Sequence, residues 1–176
     1  MQGSEAGVRR MSNKRAVRVR PPVEDYRQRV QEQSVIFEGM SRDQLREMYR
    51  SAWRKFKGQH TLSPLEKQIA AVISEHPEYR VIVESAAADL ANYSPRSGQL
   101  NPWLHMGLHL AVREQVATNR PAGITEVHTK LAAKSGGAHE AEHRMLEVLA
   151  EQLWEAQRGG KAPDENAYLE RLKSLV

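Results

Sequence analysis

Two histidine-bearing stretches decide the fold of this chain: NPWLHMGLHLAVREQV (residues 101–116) and HEAEHRMLEVLAEQLW (residues 139–154). Side chains four residues apart lie on one face of a helix. The two pairs of histidines that share a face in this way are His105 with His109 and His139 with His143. Because both faces continue into apolar residues, packing of the two helices on these faces would bury four imidazoles together.

The rest of the sequence predicts further helices around these two. Capping boxes begin at Ser41 and at Ser63, and apolar residues follow each of them at helical spacing. Pro77 can begin another helix, although the run from Tyr79 to Val83 also suits a β-strand. The sequence thus predicts an all-α fold, an antiparallel bundle of about five to six helices.

The positive charge is concentrated at the N-terminus. The chain has 176 residues and a formal net charge of +4, and six Arg or Lys residues but only one acidic residue fall within residues 1–20. Residues 1–39 are therefore predicted to form a basic, largely disordered extension with a short helix, and residues 40–176 a single helical domain. Such a tail most often stays solvated, so we expect at most weak contact with nucleic acid or an anionic surface through residues 9–20.

The composition excludes several classes of protein. Cysteine is absent, which excludes disulfides, thiolate metal ligands and cysteine nucleophiles. No apolar run approaches the length of a membrane span, and the N-terminus lacks the apolar segment of a secretory signal. We therefore expect a cytoplasmic protein without a membrane span. The sequence leaves the oligomeric state open, with a homodimer as one alternative.

The paired histidines predict a metal site built from nitrogen and oxygen ligands. Buried imidazoles need partners, and one metal ion can serve several of them at once. The predicted ligands of a divalent transition metal (zinc, iron, manganese or nickel) are His105, His109, His139, His143 and Glu147. Glu142 is the predicted catalytic residue, with a role as ligand or as hydrogen-bond partner of a ligand left open.

The start of the second histidine helix fits two zinc-protease motifs at once. Glu140 gives H-E-x-x-H and Glu142 gives H-x-x-E-H, in which the glutamate activates water. Both motifs are short enough to arise by chance, and the sequence lacks clear strands to hold an extended peptide. A di-iron carboxylate site is also disfavoured, because the first helix has no Glu-x-x-His motif and Glu114 lies opposite His105.

A metal-free polar cluster is the alternative interpretation of the same residues. In that arrangement, Glu142 and Glu147 pair with imidazoles across the helix interface, while the histidines of the second helix lie near solvent. The remaining histidines carry no prediction of function. His60 and His76 are expected in loops, and His128 has no histidine four residues away.

Longer motifs extend between about Ser41 and Leu172. They are Ser41-Arg-Asp-Gln44, Ala52-Trp-Arg-Lys55, Leu65-Glu66, His76-Pro-Glu-Tyr79, Asn101-Pro-Trp-Leu-His-Met-Gly-Leu-His-Leu-Ala111, Glu114-Gln115, His139-x-x-Glu-His143, Leu153-Trp-x-Ala-Gln-Arg158, Pro163-Asp-Glu165 and Tyr168-Leu169. With these motifs the chain resembles a bacterial family of small helical proteins described as a domain of unknown function. The resemblance implies a helical fold and carries no established activity. In that family a glutamate is not always found at the position of Glu140, which shifts the interest to Glu142.

The sequence therefore supports two functions from different classes. The first is a metal-binding helical protein, a metal-dependent hydrolase or oxidoreductase whose substrate the sequence does not reveal. The second is a non-enzymatic module that binds protein or nucleic acid and whose histidines are structural. Bound metal with an open coordination position would favour the first, and strongly salt-dependent binding through the N-terminal arm would favour the second.

Overall fold

The computed structural model describes residues 40–85 and 101–176. The predictions made for residues 1–39, the basic arm and its short helix, fall outside these ranges. Every regular element within the described residues is an α-helix, which confirms the predicted all-α class, and there are more helices than the five or six expected. These helices are α1 (Arg42–Lys57), α2 (Pro64–Glu75), α3 (Pro77–Glu84), α4 (Pro102–Thr118), α5 (Ile124–Ser135), α6 (Ala138–Arg158) and α7 (Glu165–Lys173).

Local sequence signals determine where the first two helices begin. The Ser41 hydroxyl accepts the backbone N–H of Gln44, and the Gln44 side chain accepts the backbone N–H of Ser41 in return. Ser63 and Glu66 make the same reciprocal pair at the start of α2. Each pair satisfies N–H groups that the first helical turn leaves without a partner. Both predicted capping boxes are thus confirmed.

The region after Pro77 is a helix, so the alternative of a β-strand from Tyr79 to Val83 is wrong. Proline suits the first position of a helix because its φ is already helical and it has no N–H to satisfy. Val83 is buried and packs with residues of α1 and α2. Tertiary packing and the proline together outweigh the β propensity of the intervening valines and isoleucine.

Helix α4 lies between two apolar clusters and contributes to both. Trp103, Met106 and Leu110 pack with α1, α2 and α3, whereas Leu108 and Val112 pack with α5, α6 and α7. Successive residues of a helix are rotated by about 100°, so the face that carries its histidines falls between these two apolar faces. The fold therefore places the histidine face of α4 between the two apolar clusters.

Within residues 40–85 and 101–176, no helix is both long enough and apolar enough to cross a membrane.

Candidate metal centre

Five histidines from three parts of the chain converge between the helices, and we call them the histidine cluster. They are His76 at the junction of α2 and α3, His105 and His109 on α4, and His139 and His143 at the start of α6. Their ring centroids lie as close as 4.3 Å, between the two histidines of α6. His76 and His109 are buried, and the other three are partly exposed.

The Nε2 atoms of four of these rings form a chain of close contacts. His76 Nε2 lies 3.1 Å from His105 Nε2 and 3.4 Å from His143 Nε2. His105 Nε2 lies 3.2 Å from His109 Nε2. In addition, one ring nitrogen from each of His76, His109, His139 and His143 lies within 4.8 Å of the other three. The potential ligand atoms of the cluster thus face one another.

His76 is oriented by the proline that follows it. The residue before a proline avoids the helical conformation, and His76 has φ −119° and ψ 71°, which ends α2. Its Nδ1–H donates to the carbonyl oxygen of Val72, 2.8 Å away in the last turn of α2. This bond satisfies an otherwise unpaired helix-end carbonyl and turns Nε2 towards the cluster.

His109 is oriented by a carboxylate on the facing helix. Its Nδ1–H donates to Glu142 Oε2 at 2.7 Å, and both side chains are buried. Arg113, one turn further along α4, donates from Nε to both oxygens of Glu142 at 3.0 and 3.1 Å. An imidazole that donates through one nitrogen to a carboxylate presents the lone pair of the other, which is the usual arrangement of a histidine that binds metal.

These partners leave more lone pairs than protons at the centre of the cluster. The hydrogen bonds of His76 and His109 place a proton on Nδ1 of each ring, so in a ring with a single proton Nε2 is an acceptor. Both face His105 Nε2, which carries at most one proton in a neutral ring. A divalent cation would accept several of these lone pairs at once. In a tetrahedral zinc site with Zn–N bonds of 2.0–2.1 Å, the ligand nitrogens are about 3.3 Å apart, close to the separations found here.

Burial lowers the pKa of three histidines of the cluster. Loss of solvent, reinforced by the neighbouring imidazoles, lowers the pKa of His105 to about 3. Burial also lowers the pKa of His109, although its hydrogen bond to Glu142 opposes the shift. The pKa of His143 is lowered by burial and by His139 and His76. Neutral imidazole is the form that binds metal, so no proton has to leave these three rings at neutral pH.

The two glutamates of the overlapping protease motifs lie in different surroundings. Glu140 is exposed, whereas Glu142 is buried. Burial by itself raises the pKa of Glu142, but hydrogen bonds from His109 and Arg113 outweigh it and lower the pKa to about 2. A carboxylate of such low basicity, with both oxygens already hydrogen-bonded, is a poor general base. The geometry favours a role for Glu142 in orienting His109.

A second carboxylate lies at the edge of the cluster. Glu75 Oε2 is 3.3 Å from His139 Nδ1, a nitrogen that is buried and makes no hydrogen bond within the described residues. The same oxygen accepts a very short hydrogen bond from Arg113 Nη2. Arg113 thus connects Glu75 to Glu142, and each of these carboxylates lies beside one histidine of the cluster.

An aromatic ring packs against two histidines of the cluster. Tyr79 stacks on His76 with the two ring planes 2° apart and a centroid distance of 5.4 Å. It also meets the edge of His105 at 5.6 Å. Tyr79 is partly exposed, and burial followed by the nearby charge of Glu78 raises its pKa. Tyr79 therefore covers part of the cluster, beside the partly exposed His105, His139 and His143.

The structure brings together most of the residues that the sequence singled out. The four paired histidines converge, and Glu142 contacts one of them. Glu147, predicted as a ligand, is exposed and lies outside the cluster. His76, expected in a loop without a role, is buried within it. The sequence signal that could have identified His76 is the proline after it, which places this histidine at the junction of two helices.

Comparison with known proteins identifies the class. A family model described as Domain of unknown function (DUF1841) matches residues 41–174. The chain therefore belongs to this family, in agreement with the resemblance drawn from its motifs. No curated protein and no solved structure matches the chain.

Proposed function

We propose that this protein binds one divalent transition-metal ion through the Nε2 atoms of His76, His105, His109 and His143. The observation that carries the proposal is the chain of three Nε2 contacts at 3.1 to 3.4 Å, each close to the distance between two ligands of a four-coordinate ion. The hydrogen bonds at the far nitrogens of His76 and His109 support it, because they leave the inner nitrogens without protons.

The ligand set limits the choice of metal. Imidazole nitrogen suits zinc, copper, iron and nickel, whereas manganese prefers carboxylates and water. Among the metals considered from sequence, zinc, iron and nickel therefore fit better than manganese. Glu147 is left out of the ligand set because it is exposed and lies outside the cluster. His139 lies beside the four ligands, its ring centroid 4.3 Å from that of His143.

The bound ion would carry out the chemistry, and the chain would hold and orient it. A zinc ion supplies Lewis-acid chemistry suited to hydrolysis, and an iron ion adds electron transfer. Substrate would approach past the partly exposed side chains of Tyr79 and His143. Glu142 would act by orienting His109, because its pKa of about 2 makes it unsuited to activating water. With a further coordination position open to substrate beside the four imidazoles, the protein would act as a metal-dependent hydrolase or oxidoreductase.

The proposal is tested by the metal content of the untagged protein. We expect about one equivalent of metal per chain in the wild type, by elemental analysis after purification or after titration with zinc, iron(II), nickel and copper(II). The variant His76→Gln should lose most of it. The matched controls are His60→Gln and His128→Gln, which change histidines outside the cluster and should keep the wild-type content.

The opposite outcome would be equally informative. A folded wild-type protein that contains no metal and takes none up on titration would overturn the proposal. The five imidazoles would then form a structural polar cluster, and the chain would be better described as a helical interaction module. Equal metal loss in His128→Gln and His76→Gln would also contradict the assignment, because only His76 belongs to the cluster.

A further inference from the structure

We infer that Glu75, His139 and Glu142 form a second cation subsite that the guanidinium of Arg113 occupies, and that Arg113 thereby limits the centre to a single metal ion. The inference rests on the proposed function for the first ion. It gives a role to Glu75, Glu142 and Arg113, which are not ligands of that first ion. Arg113 is assigned here as the residue that sets how many metal ions the centre holds.

The contacts of Arg113 are those of a cation among ligands. Its Nη2 donates to Glu142 Oε2 at 2.9 Å and also to Glu75 Oε2. Its Nε donates to both oxygens of Glu142. The ligand atoms of Glu75, His139 and Glu142 all lie within 4.8 Å of one another, which would allow one small ion to reach the three. The guanidinium is positioned where it neutralises both carboxylates.

The three side chains are a suitable set for a divalent ion. Two carboxylates and one imidazole provide oxygen and nitrogen ligands of the kind that manganese, iron and zinc accept. His139 Nδ1 is buried without a hydrogen bond and lies 3.3 Å from Glu75 Oε2, and in the tautomer protonated at Nε2 it offers its lone pair to an ion. Glu142 is buried beside the second carboxylate of Glu75, and Arg113 supplies the positive charge that offsets the repulsion between them. Without it, a metal ion is the natural replacement.

A similar arrangement elsewhere in the chain provides a matched control. Arg171 also lies between two carboxylates, with Nη2 2.6 Å from Glu155 and Nη1 3.8 Å from Glu151. No histidine of the cluster accompanies that trio, which lies on α6 and α7 at the other end of the α6 helix. Removing Arg171 frees two carboxylates without creating the mixed nitrogen and oxygen ligand set.

The test counts the metal ions bound by variants that remove or keep the positive charge at position 113. The wild type, Arg113→Met, Arg113→Lys and Arg171→Met are saturated with zinc, separated from free ion by gel filtration and analysed for zinc per chain. Arg113→Met should bind one equivalent more than the wild type, whereas Arg113→Lys and Arg171→Met should show no gain. With Cu²⁺ in place of zinc, an ion that suits imidazole as well as mixed nitrogen and oxygen ligands, the extra ion in Arg113→Met should produce spin coupling between two neighbouring ions in the electron paramagnetic resonance spectrum.

The outcomes separate this inference from the proposed function. A wild type without metal overturns the proposed function alone, since a gain of one ion in Arg113→Met would still support the subsite. A folded Arg113→Met that binds as many ions as the wild type overturns the inference alone. If Arg113→Met fails to fold, Arg113→Gln provides the same count. The wild type gives an independent answer: saturation at two ions with Arg113 in place would overturn the inference.

Discussion

The histidine cluster and the apolar cluster beside it are built on opposite principles, although α4 contributes to both. The apolar cluster around Tyr49, Ile69 and Trp103 gains free energy by removing nonpolar surface from water. The histidine cluster buries imidazoles whose inner nitrogens face one another, and this burial costs free energy unless a partner satisfies them. The first region therefore stabilises the fold, and the second is explained best by the ion proposed to bind there.

The largest effect on stability is expected in the apolar cluster. Ile69→Ala should lower the free energy of unfolding by about 2–5 kcal/mol, because Ile69 is fully buried and its loss leaves a cavity. Urea unfolding followed by circular dichroism would measure the change. Ile69→Val serves as the control and should cost only about 0.5–1.5 kcal/mol. Equal losses in the two variants would show that this region is not tightly packed.

Metal removal should have the next largest effect on stability. We expect this effect to arise in the histidine cluster. At a free metal concentration one hundred times the dissociation constant, binding adds about 2.7 kcal/mol to the free energy of unfolding. A chelator should therefore lower the melting temperature of the wild type and leave that of His76→Gln unchanged. A chelator effect of the same size in both proteins would mean that the ion binds somewhere other than the cluster.

Glu142→Gln should weaken metal binding by about 10–100-fold, as is typical when the hydrogen-bond partner of a metal-binding histidine is changed. The amide can still accept from His109 Nδ1, but it lacks the charge that strengthens His109 as a ligand. Competition with a chelator of known affinity would measure the change. Glu140→Gln is the matched control on the same helix and should behave as the wild type, because Glu140 is exposed.

The smallest effect is expected when a histidine is replaced by an apolar residue in the metal-free protein. His105→Leu should change the unfolding free energy without metal by less than about 1 kcal/mol, since His105 Nε2 can donate to only one of its two neighbours. Metal binding should nevertheless be lost. Denaturant unfolding in the presence of a chelator would measure the free energy of unfolding without metal. If His105→Leu lost as much unfolding free energy as Ile69→Ala, the histidine cluster would stabilise the metal-free fold as strongly as the apolar cluster does, contrary to this prediction.

The fold and much of the cluster could be predicted because the responsible signals are local. Capping boxes lie within four residues, and the spacing of four that pairs His105 with His109 depends only on helix geometry. His76 escaped the same reasoning because it reaches the cluster from 29 residues before His105. Its position depends on how α2 packs against α4, which periodicity within one helix does not describe.

The position of Glu147 shows how far the same spacing rule extends. A step of four residues turns an α-helix by about 40° beyond a full turn. From His139 through His143 to Glu147 the side chains therefore rotate steadily away from Glu142 and Leu146, which are buried, and Glu147 is exposed. A single step of four keeps two residues on one face, but a second step carries the third off it.

The long sequence separation within the cluster has a mechanical consequence. This chain has no cysteine and therefore no disulfide, yet His76 and His143, whose Nε2 atoms are 3.4 Å apart, are separated by 67 residues. An ion bound by both would act as a removable cross-link that closes this long loop and restricts the unfolded chain. Pulled from its two ends, the loaded protein should resist extension until the ion dissociates, so metal supply would set the fraction of molecules that are reinforced in this way.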